Sequence, residues 1–247
     1  MENTKPIISV IMPVYNGEKF LKEAIESILN QSFQDFELII INDASTDNSL
    51  NIINKYSDNI LYKNKIKIIN NKENLFSKHG IVKVLNSGMK IANGKYIARM
   101  DADDISLPER FEKQINILEK ENATLCGTWA ITINEDGKEI SKMNYPKTSW
   151  IGNKFYLLKG NPFIHPTVMF NKETIQNIGS YKNYKHIEDY ELWTRIVPEY
   201  KSINIPEYLF KYRIHSNQIT RKTNLEMRLK GIKIRFLGLF RLIKSIL

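Results

Sequence analysis

Three carboxylates fall within four residues in Asp101-Ala102-Asp103-Asp104, directly after the apolar run Tyr96–Met100. Crowded like charges oppose one another's ionisation, and a divalent cation relieves the repulsion. Hard oxygen ligands suit Mg2+ or Mn2+, and Mg2+ takes one or two protein carboxylates and completes its shell with substrate phosphates. An Asp-x-Asp at the carboxyl end of a strand therefore fits a metal–diphosphate site. The same residues, Asp104 above all, also read as an acidic turn and a helix N-cap ahead of Pro108. A second polar loop, Pro13-Val14-Tyr15-Asn16-Gly17-Glu18, follows the run Ile7–Met12. It has neither the glycine-rich dinucleotide fingerprint nor a Walker A loop. It offers either backbone groups and a Tyr15 ring for stacking on a nucleobase, or a plain strand-to-helix turn. In a third loop, Asn42–Asp47, Asp43 can accept from a base N–H or a ribose, or serve in helix capping beside Ser45 and Asp47. The fourth group, Glu188-Asp189, sits where a helix begins. It reads as an ordinary acidic N-terminus, favoured by the helix dipole, or as a general base that takes a proton from an acceptor hydroxyl.

The elements that must carry these loops alternate in type. Continuous apolar runs at Ile7–Met12, Phe36–Ile41, Lys65–Ile69 and Tyr96–Met100 predict buried strands. Between them, helical spacing predicts helices over Gly17–Asn30, Thr46–Tyr56 (with Ser45 as N-cap), Gly80–Ala92 and Pro108–Glu121. Such repetition implies a parallel sheet covered by helices on both faces. Ligands then bind beyond the carboxyl ends of the strands, where the first three polar loops fall. After Glu121 the pattern becomes mixed. Strands are expected at Leu125–Ile133 and Glu139–Met143 around an Asp136-Gly137 hairpin, and at Tyr208–Ile214. Helices are expected at Ser149–Leu158 and Ile187–Val197.

The chain has 247 residues, 42% hydrophobic and 26% charged, which excludes an extended disordered chain. No apolar run reaches the roughly 18–20 residues of a membrane span. The single Cys126 excludes an intramolecular disulfide and a cysteine-rich metal site, so a reducing, cytoplasmic setting is expected. The net charge of +9 is uneven. Arg221–Leu247 holds eight basic residues against Glu226 alone, a net +7, which leaves +2 for residues 1–220. In this tail Leu225, Leu229, Ile232, Phe236, Leu239, Phe240, Ile243 and Leu247 form one apolar stripe, with Lys230, Lys233, Arg241 and Lys244 on the far side. A basic amphipathic helix of this kind lies on an anionic membrane surface, or packs on the catalytic domain or a second subunit.

Taken together, Ser9–Leu21, Ile41–Ser49, Leu85–Glu109, Pro162–Phe170, Ile187–Arg195 and Tyr212–His215 resemble family 2 glycosyltransferases of the branch that builds bacterial surface polysaccharides, over about residues 7–215. The resemblance implies an α/β GT-A fold. Residues 1–220 would be the catalytic domain, with a nucleotide-binding half (1–121) and a smaller mixed-strand acceptor-side half (122–220), followed by a basic helix over 221–247. It implies a nucleotide-diphospho-sugar donor, UDP-linked, a divalent cation (Mn2+ or Mg2+) and inversion at the anomeric carbon. Pro13 and Tyr15, with Val14 and Glu18, would line the donor pocket, and Asp43 would meet a uracil-like base. Asp101 and Ala102 would lie near the ribose and hydrated metal, Asp103 would bind the metal, and His215 would join it. Asp189 would be the base, and His165 would line the acceptor side. The stretch Asn74–Lys83 departs from the commoner pattern and supplies no base-contacting Arg. The expected partners are the donor, a glycan or lipid-linked acceptor, and an anionic membrane surface through 221–247 on the inner face of the cytoplasmic membrane. Nucleic acid is not expected. Two other readings compete. A sugar nucleotidyltransferase would normally carry a glycine-rich, Arg/Lys-bearing loop where PVYNGE stands, and a non-catalytic binding protein leaves the four loops unexplained.

Overall fold

The computed structural model describes residues 5–145, 149–216, 218 and 225–245. Four strands, β1 (Ile8–Val14), β2 (Phe36–Asn42), β3 (Ile66–Asn70) and β4 (Tyr96–Arg99), pair in parallel. β1 and β2 are almost entirely buried, as uninterrupted apolar runs covered on both faces must be. Side chains alternate across the sheet. Val10, Met12, Leu38 and Ile40 pack on helix α1 (Leu21–Leu29), and Ile11, Ile39 and Ile41 pack on the opposite side. α2 (Ser49–Ser57) lies beside α1. On the other face the helix expected over 80–92 forms as α4 (Ile81–Ile91), and a short helix that was not expected, α3 (Leu75–His79), precedes it. Gly80, at φ +69°, joins them in a conformation open to glycine. α2 also starts later than expected. Asn48 precedes its first residue, and Ser45, expected to cap it, instead accepts a hydrogen bond from the Asn16 amide.

The rest of the chain extends the same sheet. β5 (Ile105–Ser106) and α5 (Arg110–Lys120) lead to the hairpin of β6 (Leu125–Ile133) and β7 (Glu139–Met143). α6 (Trp150–Leu157), a 3-10 turn (His165–Thr167), β8 (Met169–Asn171), α7 (Lys172–Asn177), α8 (Glu188–Ile196), β9 (Ser202–Arg213) and α9 (Leu225–Lys244) follow. Among the described residues the sheet has nine strands in the order β3-β2-β1-β4-β8-β6-β9-β5, with β7 beside β6. β8 is antiparallel to both β4 and β6, so it stitches the parallel half to the mixed half. β9 is longer than the expected Tyr208–Ile214 strand and pairs in parallel with β6 across a register shift near Thr128 and Trp129.

α9 corrects the reading of the tail. Its inner side, Ile234, Gly238 and Leu242, is buried, and it packs against α8 and α6. Arg241, expected on the solvated side, donates to Glu191 (3.2 Å) and to Thr194 on α8. The apolar stripe faces outward instead. Ile232, Phe236, Leu239, Phe240 and Ile243 are all exposed. Of the rest of that stripe, Leu247 and the side chains of Leu225 and Leu229 lie outside the described residues, as do residues 221–224.

Candidate active site

The polar loops after β1, β2 and β4 meet at the carboxyl edge of the sheet. The first two are clamped together. The Gly17 amide donates to Ser49 Oγ (2.9 Å), the Glu18 amide to Asp47 Oδ2 (2.9 Å), the Asn48 amide to Glu18 Oε2 (2.9 Å) and the Thr46 amide to Asn16 Oδ1 (2.8 Å). Glu18 thus fastens one loop to the other. Tyr15 stays about half exposed beside Pro13, with its ring free for stacking, while Val14 is buried. Asp43, only 2% exposed, directly follows β2. Its Oδ1 accepts from Asn71 Nδ2 (2.6 Å) and the Leu75 amide (3.0 Å), and its Oδ2 from the Phe76 amide (2.8 Å). It therefore anchors the start of α3, and roughly one of its four lone-pair positions is left over.

The loop after β4 holds the acid cluster. Carboxylate oxygens of Asp101, Asp103 and Asp104 all lie within 4.8 Å of one another. Asp101 Oδ1 accepts from Arg99 (2.6 Å), and His215 Nε2 lies 2.9 Å from Asp103 Oδ2. Asp104 is buried. Its Oδ1 accepts from the Arg213 amide (2.8 Å), while its Oδ2 is buried without a hydrogen-bond partner. Burial, reinforced by the charges of Asp103 and Asp101, holds the Asp104 carboxyl well above the usual carboxylate range. Burial raises Asp101 too, against the opposing pull of Arg99. Crowded oxygens, one imidazole nitrogen and an orphaned buried carboxylate oxygen form a donor set that suits a hard divalent cation. Ala102 packs against Gly17, so this loop also touches the first one.

The fourth group approaches from the mixed half. Asp189, in the first turn of α8, accepts from Asn161 Nδ2 (2.6 Å) and from the Tyr190 amide (2.7 Å). Burial raises its carboxyl above the ordinary range. Glu188 is pushed up to about 7 by burial and then by the charge of Asp189, and its Oε2 has no hydrogen-bond partner. His165 is paired with the Tyr181 hydroxyl (2.8 Å), and burial, with the nearby Arg99 charge, holds it well below its usual range, hence neutral.

Two arginines that the sequence reading assigns no role organise these groups. Arg99, the last residue of β4, is 2% exposed. Its guanidinium holds Asp101, and its charge acts on Asp104, Glu188, Asp189 and His165. The acid cluster and the Glu188-Asp189 pair thus share one buried cation. Arg213 ends β9 and donates to the carbonyls of Asp103 (2.8 Å), Asn134 (3.1 Å) and Glu135 (3.0 Å), and to Glu23 on α1. One signal was open to the sequence reading: an arginine inside the apolar run YIARM cannot reach water and requires an acidic partner.

Comparison with known proteins agrees with this geometry. The sequence model of the group described as glycosyl transferase family 2 matches residues 9–179. The O-antigen biosynthesis glycosyltransferase WbnJ of Escherichia coli is 38% identical over 222 residues, covering 89% of this chain and 84% of that one. Among solved structures, Staphylococcus aureus TarS 1–349 in complex with UDP-GlcNAc aligns with TM-score 0.73 at 19% identity, over 98% of this chain and 72% of that chain. Against the same protein in complex with UDP the TM-score is 0.67, and the chain spans 61% of that length. The mannosyltransferase PcManGT of Pyrobaculum calidifontis, in complex with GDP-Man and Mn2+, aligns with TM-score 0.66 at 15% identity, over 99% of this chain and 74% of that one. At such identities the structures speak for the GT-A-type fold alone.

Proposed function

The chain belongs to glycosyl transferase family 2, and from that membership we propose that it moves a sugar, with inversion, from a UDP-linked donor to a hydroxyl of a glycan or lipid-linked acceptor in surface polysaccharide synthesis. The observation that carries this reading is that the acid cluster and the Glu188-Asp189 pair both feel the charge of the buried Arg99. The relative's role in O-antigen synthesis and the UDP-GlcNAc held by TarS support the acceptor and donor classes. The proposed place of action is the inner face of the cytoplasmic membrane.

Each residue has a definable part. Pro13 and Tyr15 flank the base, and Asp43 accepts from its ring N–H with its remaining lone pair. Asp101, Asp103 and His215 hold Mn2+ or Mg2+, as the donor set allows. A bound cation supplies neutralisation of the charge that develops on the departing diphosphate. Asp189, fixed by Asn161 and the Tyr190 amide, takes the proton of the acceptor hydroxyl. Its raised affinity for protons suits that task, since a base poised closer to neutrality transfers protons more effectively. Neutral His165 and Tyr181 line the acceptor side. Direct displacement needs no enzymic nucleophile, so inversion follows from a single base acting on the face opposite the leaving group.

Product analysis tests the reaction class. With a UDP-sugar and a glycan acceptor, the expected products are UDP and an extended glycan, abolished by excess chelator. Release of pyrophosphate instead would identify a sugar nucleotidyltransferase.

A further inference from the structure

α9 turns its apolar side away from the protein. At about 100° per residue, Ile232, Phe236, Leu239, Phe240 and Ile243 occupy one arc of roughly 100°, opposite the buried Ile234, Gly238 and Leu242. Phe236 and Phe240 are 68% and 67% exposed, and Ile243 is 49% exposed. Scattered exposed apolar residues need no explanation, but five large ones in a single stripe mark an interaction surface. Arg235 borders one edge of the stripe, and Lys233 and Lys244, expected from the sequence on its far side, border the other. The occupant that matches an apolar stripe between cationic edges is an anionic bilayer surface, where the stripe enters the acyl boundary and the cations meet lipid phosphates. A partner protein that docked this face would need a dense acidic rim to match.

A cavity at the same place supplies an independent observation. About 380 Å3 in volume, it lies between α3, the segment 183–187 and α9, and is lined by Lys78, His79, Lys185, Lys230 and Lys233, with Ile187 and Ile234 among its apolar residues. Lys78 also holds Glu73 (2.5 Å). Four lysines and a histidine around one concavity form a site for a phosphate-bearing group. Lys233 serves both features, lining the cavity and bordering the stripe.

We propose that α9 docks on an anionic membrane through its outward stripe, and that the basic cavity at its side receives a phosphate headgroup of that membrane. The inference deepens the transferase reading and rests on it for the consequence alone. Ile187 lines the cavity and directly precedes α8, so the proposed membrane face adjoins the start of the helix that carries Asp189.

Vesicle co-sedimentation of the full chain tests it, using phosphatidylcholine alone and phosphatidylcholine mixed with phosphatidylglycerol. The wild type should partition at least about tenfold better onto the mixed vesicles. Both Phe236→Ser/Phe240→Ser and Lys185→Glu/Lys233→Glu should lose at least about tenfold of that binding. UDP binding should stay unchanged in all forms, which separates failure here from failure of the donor site. Lys185→Glu alone, on a different element, keeps the test decisive should a helix variant misfold. Equal binding to both vesicle types, absence of binding, or variants that bind like the wild type would overturn the proposal. So would binding of inorganic pyrophosphate without vesicle binding, or a dimer in buffer that Phe236→Ser/Phe240→Ser dissolves.

Discussion

Glu188 and Asp189 sit side by side in sequence, yet burial treats them differently. Asp189 spends its oxygens on Asn161 and the Tyr190 amide, while Glu188 keeps one buried oxygen unpaired. In the folded protein Glu188 holds its proton up to about pH 7, whereas its ordinary value is 4.5. Between those values the folded state binds the extra proton, so stability falls as pH rises through the window and levels off above it. Glu188→Gln never ionises. It should exceed the wild type in stability at pH 8 by on the order of 1–3 kcal/mol, with the gap closing below pH 5. Thermal melts of both proteins across that range check this, and a gap independent of pH would contradict it. Asp104 shows the same principle on the donor side, where crowded acids and burial favour the neutral carboxyl.

At the scale of elements, short strands and loop clamps fix these side chains. Arg213 at the end of β9 ties the loop after β4 to α1 and to the β6–β7 hairpin. Arg213→Ala removes the partner of three partly buried carbonyls and should cost about 3 kcal/mol, a drop in Tm on the order of 10 °C. Arg213→Lys should recover little, because an ammonium cannot reproduce the planar fork. An unchanged Tm in Arg213→Ala would refute the staple. β1, β2 and β4 were legible in the sequence because strands buried on both faces are unbroken apolar runs, and the loops that follow them carry the site. β5, β8 and α7 were not, since two to six residues leave no period to detect. The short helix α3 ahead of Gly80 and the extension of β9 across Pro206 depend on tertiary packing. The tail's periodicity revealed an amphipathic helix, but periodicity does not say which side the protein covers. Here the covered side carries Gly238 and Arg241, small or charged residues that look solvated in a sequence.

Across the whole molecule, one continuous sheet joins two chemistries. The parallel half brings the loops around Tyr15, Asp43 and Asp103 to one edge, and β8 carries the sheet into the half that supplies Asn161, His165 and Asp189. Arg99 stands at the junction, paired to Asp101 and acting on Asp189. We propose that these two halves make a single transfer centre in which Asp189 alone removes the acceptor proton. Kinetics and donor binding of Asp189→Asn test it most directly. In that variant the transfer rate is expected to fall by roughly 10²–10⁴ while the UDP-sugar still binds with wild-type affinity in the presence of Mn2+. Transfer at the wild-type rate in Asp189→Asn, or a loss of donor binding that alone explains the lower rate, would contradict it.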